Sequence, residues 1–203
     1  MANLKEIRTR ITSVSSTMQI TSAMKMVSAA KLKRAQDAIT QMRPYAEKLR
    51  EVLVNISSTL EGSAEGVYSQ ERETQKVLIV AIASNRGLCG AFNANIFKAT
   101  EKRIKDYAGK EVQVYPIGKR TVDYFTGKHT IYNSNIEIFN DLNYDHVTVM
   151  AQEVMDAFVE GEFDKVEIIY NEFQNAATQE VITQQFVPVV ADENEEIDVN
   201  ADY

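Results

Sequence analysis

Cysteine, proline and long apolar runs are scarce in this 203-residue chain, and each scarcity excludes something. A single cysteine, Cys89, forbids an intramolecular disulfide and fits a reducing compartment. The longest uninterrupted apolar run of the body, residues 77–83, falls far short of the roughly 18–20 residues that span a bilayer. The N-terminus carries no apolar core with a small-residue cleavage pattern, so no signal peptide is expected. The only histidines, His129 and His146, have no cysteine partners and make a poor zinc set. The expectation is a cytosolic, soluble chain that reaches a membrane only through partners. Of the three prolines, Pro44 alone lies near the N-terminal helix described next, and it predicts a bend around residues 42–45 rather than a domain boundary.

What is present begins with the first sixty residues, which read as one long helix. Leu4, Ile7, Ile11, Val14 and Met18 recur at spacings of three and four, the a/d rhythm of a coiled coil. The rhythm loosens through residues 20–34 and returns at Ala35, Ile39, Met42, Leu49, Val52 and Ile56. At about 1.5 Å per residue, residues 4–60 would reach roughly 85 Å, too long to pack inside a globule of this size. A rod with an apolar seam needs something to pair with. Its first 36 residues carry Lys5, Arg8, Arg10, Lys25, Lys31, Lys33 and Arg34 against Glu6 alone, a local charge of +6 in a chain of formal charge −7. A basic arm on an acidic remainder implies an acidic partner surface; a solvated helix face is the plainer alternative. The stretch 18–35 is rich in Met, Ala and Ser, either a smooth surface able to touch several environments or a good helix-former run in a coiled-coil core.

Residues 61–76 read as a linker, polar and glycine-bearing through 61–73. An α/β domain then spans 77–190. Residues 77–83 (VLIVAIA) have the continuous β-branched character of a strand buried on both faces. A glycine-punctuated turn at 84–90 leads to a helix at 92–107, with Phe92, Ile96, Ala99, Arg103 and Ile104 near one face. Strand 112–117, a short helix at 119–125, a further strand within 131–139, and a helix at 144–159 with the stripe Val147, Val149, Met150, Val154, Met155 and Phe158 follow. A strand at 166–173, a turn at 175–178 and an extended segment at 179–190, able to pair back antiparallel, complete the domain. The alternation predicts a three-layer, mostly parallel, Rossmann-like sheet. Residues 191–203 hold six acids and read as an acidic tail.

Chemistry is thinly marked. Residues 84–93 (SNRGLCGAFN) lie where doubly wound folds bind phosphate, yet only Gly87 and Gly90 are present, without G-x-G-x-x-G and without the Lys-Ser/Thr of a P-loop. The better reading is a tight turn exposing Arg86, suited to docking on a carboxylate of another subunit. Cys89 has no base in a recognisable motif beside it and is expected as a small buried or half-buried thiol. No catalytic, cofactor-binding or metal-ligating residue is marked out. A coiled-coil scaffold, or an α/β nucleotide-binding protein using 84–93, are the alternatives that composition leaves open.

Three separated blocks, MANLKEIRTRITSVSSTMQITSAMKMVSAAKLKRAQ, VLIVAIASNRGLCGAFNANIFK and IIYNEFQNAATQ, closely resemble the gamma subunit of rotary, proton-translocating ATP synthases. The resemblance implies a non-catalytic rotor: residues 1–60 as a shaft within a ring of alpha and beta catalytic subunits, and 77–190 as a foot that rests on the membrane rotor ring and holds the epsilon subunit. It implies mechanical coupling of proton flow to ATP synthesis or hydrolysis, and a peripheral location on the cytoplasmic side of a bacterial plasma membrane. No nucleic acid and no cofactor are implied. By the same resemblance Met24 and Lys25 lie at the contact with the beta subunits' lever loops. The basic stretch with Lys31, Lys33 and Arg34 faces those acidic loops, and Arg86 and Gly87 belong to the foot. Many members carry lysines where this chain has Gln19 and Ser22. The family also continues after the acidic segment into a long C-terminal helix, the expected partner of the seam, which these 203 residues do not include.

Overall fold

The computed structural model describes residues 3–60 and 66–189, which divide between residues 53 and 54 into two units. The first is helical. Helix α1 runs Leu4–Leu60, 57 residues without interruption. Asn3 starts it: its side chain accepts from the Lys5 amide (3.2 Å) and its carbonyl from Ile7 (3.1 Å). Glu6 in the first turn pairs with Arg10 at 2.9 Å. Pro44 lies inside the helix and does not end it; its ring φ is compatible with the helix, and what it removes is the one amide that would have reached the carbonyl of residue 40.

Because α1 is unbroken, a single heptad frame can be carried through it. It passes from Leu4 to Met18, then through Thr21, Lys25 and Ser28, and on through Leu32, Ala35, Ile39, Met42, Ala46, Leu49 and Leu53. What loosens the rhythm is thus three polar residues in frame, not a change of register. The seam is exposed at Leu4, Ile11, Val14, Met18, Met42 and Leu53 alike.

The second unit is an α/β domain. Strand β1 (Lys76–Ile82) leads to helix α2 (Phe92–Asp106), and strand β2 (Glu111–Ile117) to the short helix α3 (Lys119–Phe125). Helix α4 (Tyr144–Val159) precedes strands β3 (Lys165–Phe173) and β4 (Gln179–Val187). The sheet order is β2-β1-β3-β4. β1 is parallel to both β2 and β3, with Val80 opposite Tyr115 on one side and Ile168 on the other; β4 returns antiparallel to β3. The mostly parallel architecture with one antiparallel edge matches the sequence reading.

The apolar run of β1 alternates between two cores. Leu78 and Val80 join Val166, Val154, Phe158 and Phe163 beneath α4. Val77, Ile79 and Ala81 join Ile96, Val114, Phe125 and Ile169 beneath α2 and α3. Val77, Leu78 and Ile79 are each 0% exposed, as a strand covered on both faces requires. Part of the stretch read as linker is attached here. Tyr68 packs on the first core, and Arg72 donates to the Phe158 carbonyl (2.8 Å) with its guanidinium 4.8 Å from the Phe158 ring centre. Residues 61–65 and the acidic tail, 191–203, lie outside the described residues.

Two expectations are corrected. Residues 131–139 form no strand: only isolated bridges join Ile131 to Val114 and Asn135 to Ile117. The asparagines divert the backbone, the Asn133 side chain accepting from the Ser134 amide (2.7 Å), and that of Asn135 from Glu137 (3.0 Å) and Ile138 (2.9 Å). In α4 the stripe is narrower than read. Val154, Ala157 and Phe158 are buried, whereas Val147 and Val149 in the early turns are exposed, Val149 at 70%.

Candidate functional site

Among the described residues, the seven positions expected to meet partners fall into two sets on separate units. Met24, Lys25, Lys31, Lys33 and Arg34 are all exposed on α1, Met24 at 63%. At about 100° per residue, Met24 and Lys31 share a face within roughly 20°, while Lys33 projects from the opposite side. Lys25 occupies the heptad frame itself, between Thr21 and Ser28, so the seam turns polar beside Met24.

Arg86 and Gly87 lie in the loop between β1 and α2. The sequence makes this loop by ending an apolar strand at Ile82 and opening a helix at Phe92. Asn93, 8% exposed in the first turn of α2, ties its two ends together. Its Oδ1 accepts from the Ser84 amide (3.1 Å) and lies 2.9 Å from the Ser84 hydroxyl; its Nδ2 donates to the Arg86 carbonyl (3.1 Å) and lies 3.1 Å from the Cys89 sulfur. Asn85 anchors the outer side, donating to the Ile136 carbonyl and accepting from the Lys119 amide, both at 2.8 Å. A Cβ on Gly87 would stand 3.1 Å from an Arg120 guanidinium nitrogen, so that arginine lies against the bare backbone. The result is a braced turn. At its tip Leu88 (φ 59°) and Gly90 (φ 58°) are left-handed; Leu88 is fully exposed, and Arg86 is exposed beside it. An open depression of about 510 Å³ lies beside it, against Phe97, Arg120 and Tyr124.

Cys89 is exposed, not buried or half-buried as expected. The left-handed residue before it turns the chain outward, and the loop has no second layer over it. As a phosphate cradle the loop is poorly made, since Asn93 already occupies the Ser84 amide. Among the described residues no group of three His, Cys, Asp or Glu is placed to hold a metal, and no helix is long and apolar enough to cross a membrane.

A buried polar cluster escaped the sequence reading. Glu167 on β3, 2% exposed, receives Arg103 Nε at 2.5 Å, Arg103 Nη2 at 2.6 Å and the Tyr107 hydroxyl at 2.6 Å, with Lys165 Nζ 3.4 Å away. Burial would raise its carboxyl pKa, but the hydrogen bonds from Arg103 and Tyr107 outweigh it and hold it below its ordinary value. The hydrogen bond to Glu167 raises Arg103, against the cost of burial; burial first, then Glu167, raises Tyr107. The signal was available in an acid within the apolar run VEIIY and an arginine on the apolar face of α2. Asn93 left a fainter one, an amide at the helix start where an acceptor is wanted.

With this geometry in hand, the likeness to known proteins is specific. The ATP synthase family model matches residues 3–203. The ATP synthase gamma chain of Flavobacterium johnsoniae is 60% identical over 189 residues, 93% of this chain and 66% of its own length. That of Christiangramia forsetii is 52% identical over 202 residues, 98% of this chain and 71% of its own length. The chain thus spans about two thirds of the length of these relatives. Among solved structures, a chain of the central stalk and c-ring of Tetrahymena thermophila mitochondrial ATP synthase aligns with TM-score 0.64 at 23% identity, covering 83% of this chain and 72% of that one, a likeness of fold. With the family model matched over residues 3–203 and relatives 52–60% identical, this chain belongs to the ATP synthase gamma chain family.

Proposed function

We propose that this chain serves in the central stalk of a rotary ATP synthase, performing no chemistry itself and coupling proton flow to ATP synthesis or hydrolysis by contact. In this reading residues 1–60 are the shaft within the alpha and beta subunits, 61–76 a connector, 77–190 the foot that meets the epsilon subunit and the membrane rotor ring, and 191–203 an acidic tail. The protein is peripheral to the cytoplasmic side of a bacterial membrane. Met24, Lys25, Lys31, Lys33 and Arg34 face acidic loops of the head, and Arg86 with Gly87 docks on a carboxylate of a neighbouring subunit.

One observation carries the reading: a helix of 57 residues keeps one heptad frame while leaving its apolar seam in solvent, and the frame turns polar beside Met24. Such a seam stabilises nothing until another helix covers it. The polar gap gives a smooth place where a turning shaft can slide past several partners without interlocking.

The test is reconstitution of the chain with alpha and beta subunits of a relative, with and without a peptide supplying a second long helix. Assembly or coupled ATPase activity is expected only when that helix is present. Met24→Lys is expected to reduce coupling more than assembly, and unchanged coupling would remove Met24 from the site. Micromolar binding of ATP, ADP or NAD to the α/β unit, read by calorimetry, would count against a purely mechanical role.

A further inference from the structure

Helix α4 carries a second stripe that the domain leaves unused. Its inward face, with Val154, Ala157 and Phe158, closes the sheet. At about 100° per residue, Asp145, Val149, Asp156 and Glu160 fall within roughly 60° of one another on the far side. All four are exposed, Val149 at 70%. Leu142 and Tyr144, also exposed, carry the apolar part past the start of the helix. The charge around them has one sign. Residues 129–164 hold eight Asp or Glu and no Lys or Arg. Among the described residues none of the eight is paired with a lysine or arginine.

A surface of the opposite kind lies on α1. Leu4, Ile7, Ile11, Val14 and Met18 form an exposed apolar row before the frame turns polar at Thr21. Arg8 and Arg10 fall at the two positions that flank such a seam. Residues 4–18 are about as long as the 16 residues of α4. We propose that α4 of one copy docks residues 4–18 of a second copy: Tyr144 and Val149 lie on the seam, and Asp145, Asp156 and Glu160 lie beside Arg8 and Arg10.

Charge decides against the simpler pairing of two α1 seams. Residues 1–36 sum to +6 and residues 37–60 carry three acids and three bases, so α1 is +6 as a whole and two of them repel. On α4 the same +6 meets a segment of −8. The contact is heterologous: each copy offers both halves, so association is head-to-tail and grows with concentration. It forms between free chains, and a second long helix laid on α1 displaces it.

The experiment is sedimentation of the full chain over a range of concentrations, at about 50 mM and about 500 mM salt. Association is expected at low salt, with affinity at least about tenfold weaker at high salt because exposed charges are screened. Asp145→Lys, Asp156→Lys, Glu160→Lys reverses the α4 face; Arg8→Glu, Arg10→Glu reverses the α1 face. Each variant alone is expected to be monomeric where the unsubstituted chain associates. An equal mixture of the two is expected to associate, since every face then meets its opposite. Val149→Asp, a single exposed change, is expected to weaken association about fivefold. An unsubstituted chain that stays monomeric at every concentration would overturn the proposal. Undiminished association of the α4-reversed variant would also overturn it, and would mark pairing of two α1 seams instead. So would a mixture that stays monomeric although both variants keep their helicity. Where the triple change disturbs α4, Val149→Asp decides, and undiminished association there ends the proposal.

Discussion

The two units spend apolar side chains in opposite ways. In the α/β domain Val77, Leu78 and Ile79 are each 0% exposed, and both faces of the sheet are closed by the domain's own helices. In α1, Leu4, Ile11, Val14 and Met18 are all more than 60% exposed. Each such side chain, once covered, stabilises by about 1.5–3 kcal/mol. The domain has already realised that free energy, and the helix holds it for a partner. Periodicity alone does not separate the cases; what does is whether the chain around an apolar stripe can cover it.

That contrast can be broken first where the domain is tightest. Gly118 has φ +97° and its backbone lies against Ala83, so a Cβ there would stand 2.1 Å from the Ala83 carbonyl oxygen. Gly118→Ala is expected to cost several kcal/mol, about 3 or more, in urea unfolding of the domain. A near-neutral result would mean that β1 and α3 separate without loss.

Next in size is Glu167→Ala, which leaves Arg103 without its carboxylate. The guanidinium is about a third exposed, and water offsets part of the loss, so about 2–4 kcal/mol is expected. The pH dependence gives a finer test. Because the folded-state pKa of Glu167 is depressed, its contribution to stability is complete above the unfolded carboxylate pKa of about 4.3 and is lost as pH falls through the folded value. Glu167→Gln should remove that part of the acid dependence. Tyr115 works in the alkaline direction. Burial and Glu153 push it up to about 12, so the domain should lose stability as pH rises from about 10 through 12, and Tyr115→Phe should flatten that slope.

The smallest effects belong to α1. Ile11→Ala or Leu49→Ala is expected to change the domain's unfolding free energy by less than about 0.5 kcal/mol, while weakening pairing with a second-helix peptide in sedimentation measurements. An equal loss in both assays would erase the distinction between the units.

Much of this was legible from residues alone. Helices α3 and α4 span the ranges read from the sequence, 119–125 and 144–159, and β4 pairs back on β3 after the turn at 175–178. The failures share a cause. The strand expected in 131–139 lost to asparagine side chains that bond their own backbone, which alternation cannot register. Val149 fits an apolar stripe, but burial depends on how far α4 reaches over the sheet, which is a tertiary fact. The exposure of the α1 set was readable because a helix with charges at several angles round its axis leaves them in water. The brace of the 84–93 loop was not, because four contacts to one asparagine leave no periodic trace.

The Arg103–Glu167 bridge has a bearing beyond its own stability. Helix α2 meets the sheet in the one setting that keeps the buried Glu167 carboxylate on the Arg103 guanidinium, and any other setting costs about 2–4 kcal/mol. The same helix carries Asn93 nearly three turns earlier. An ion pair with only its carboxylate buried therefore acts as the index pin for a loop at the surface, and its removal would be felt as a tilt of that loop before it was felt as a melting of the core.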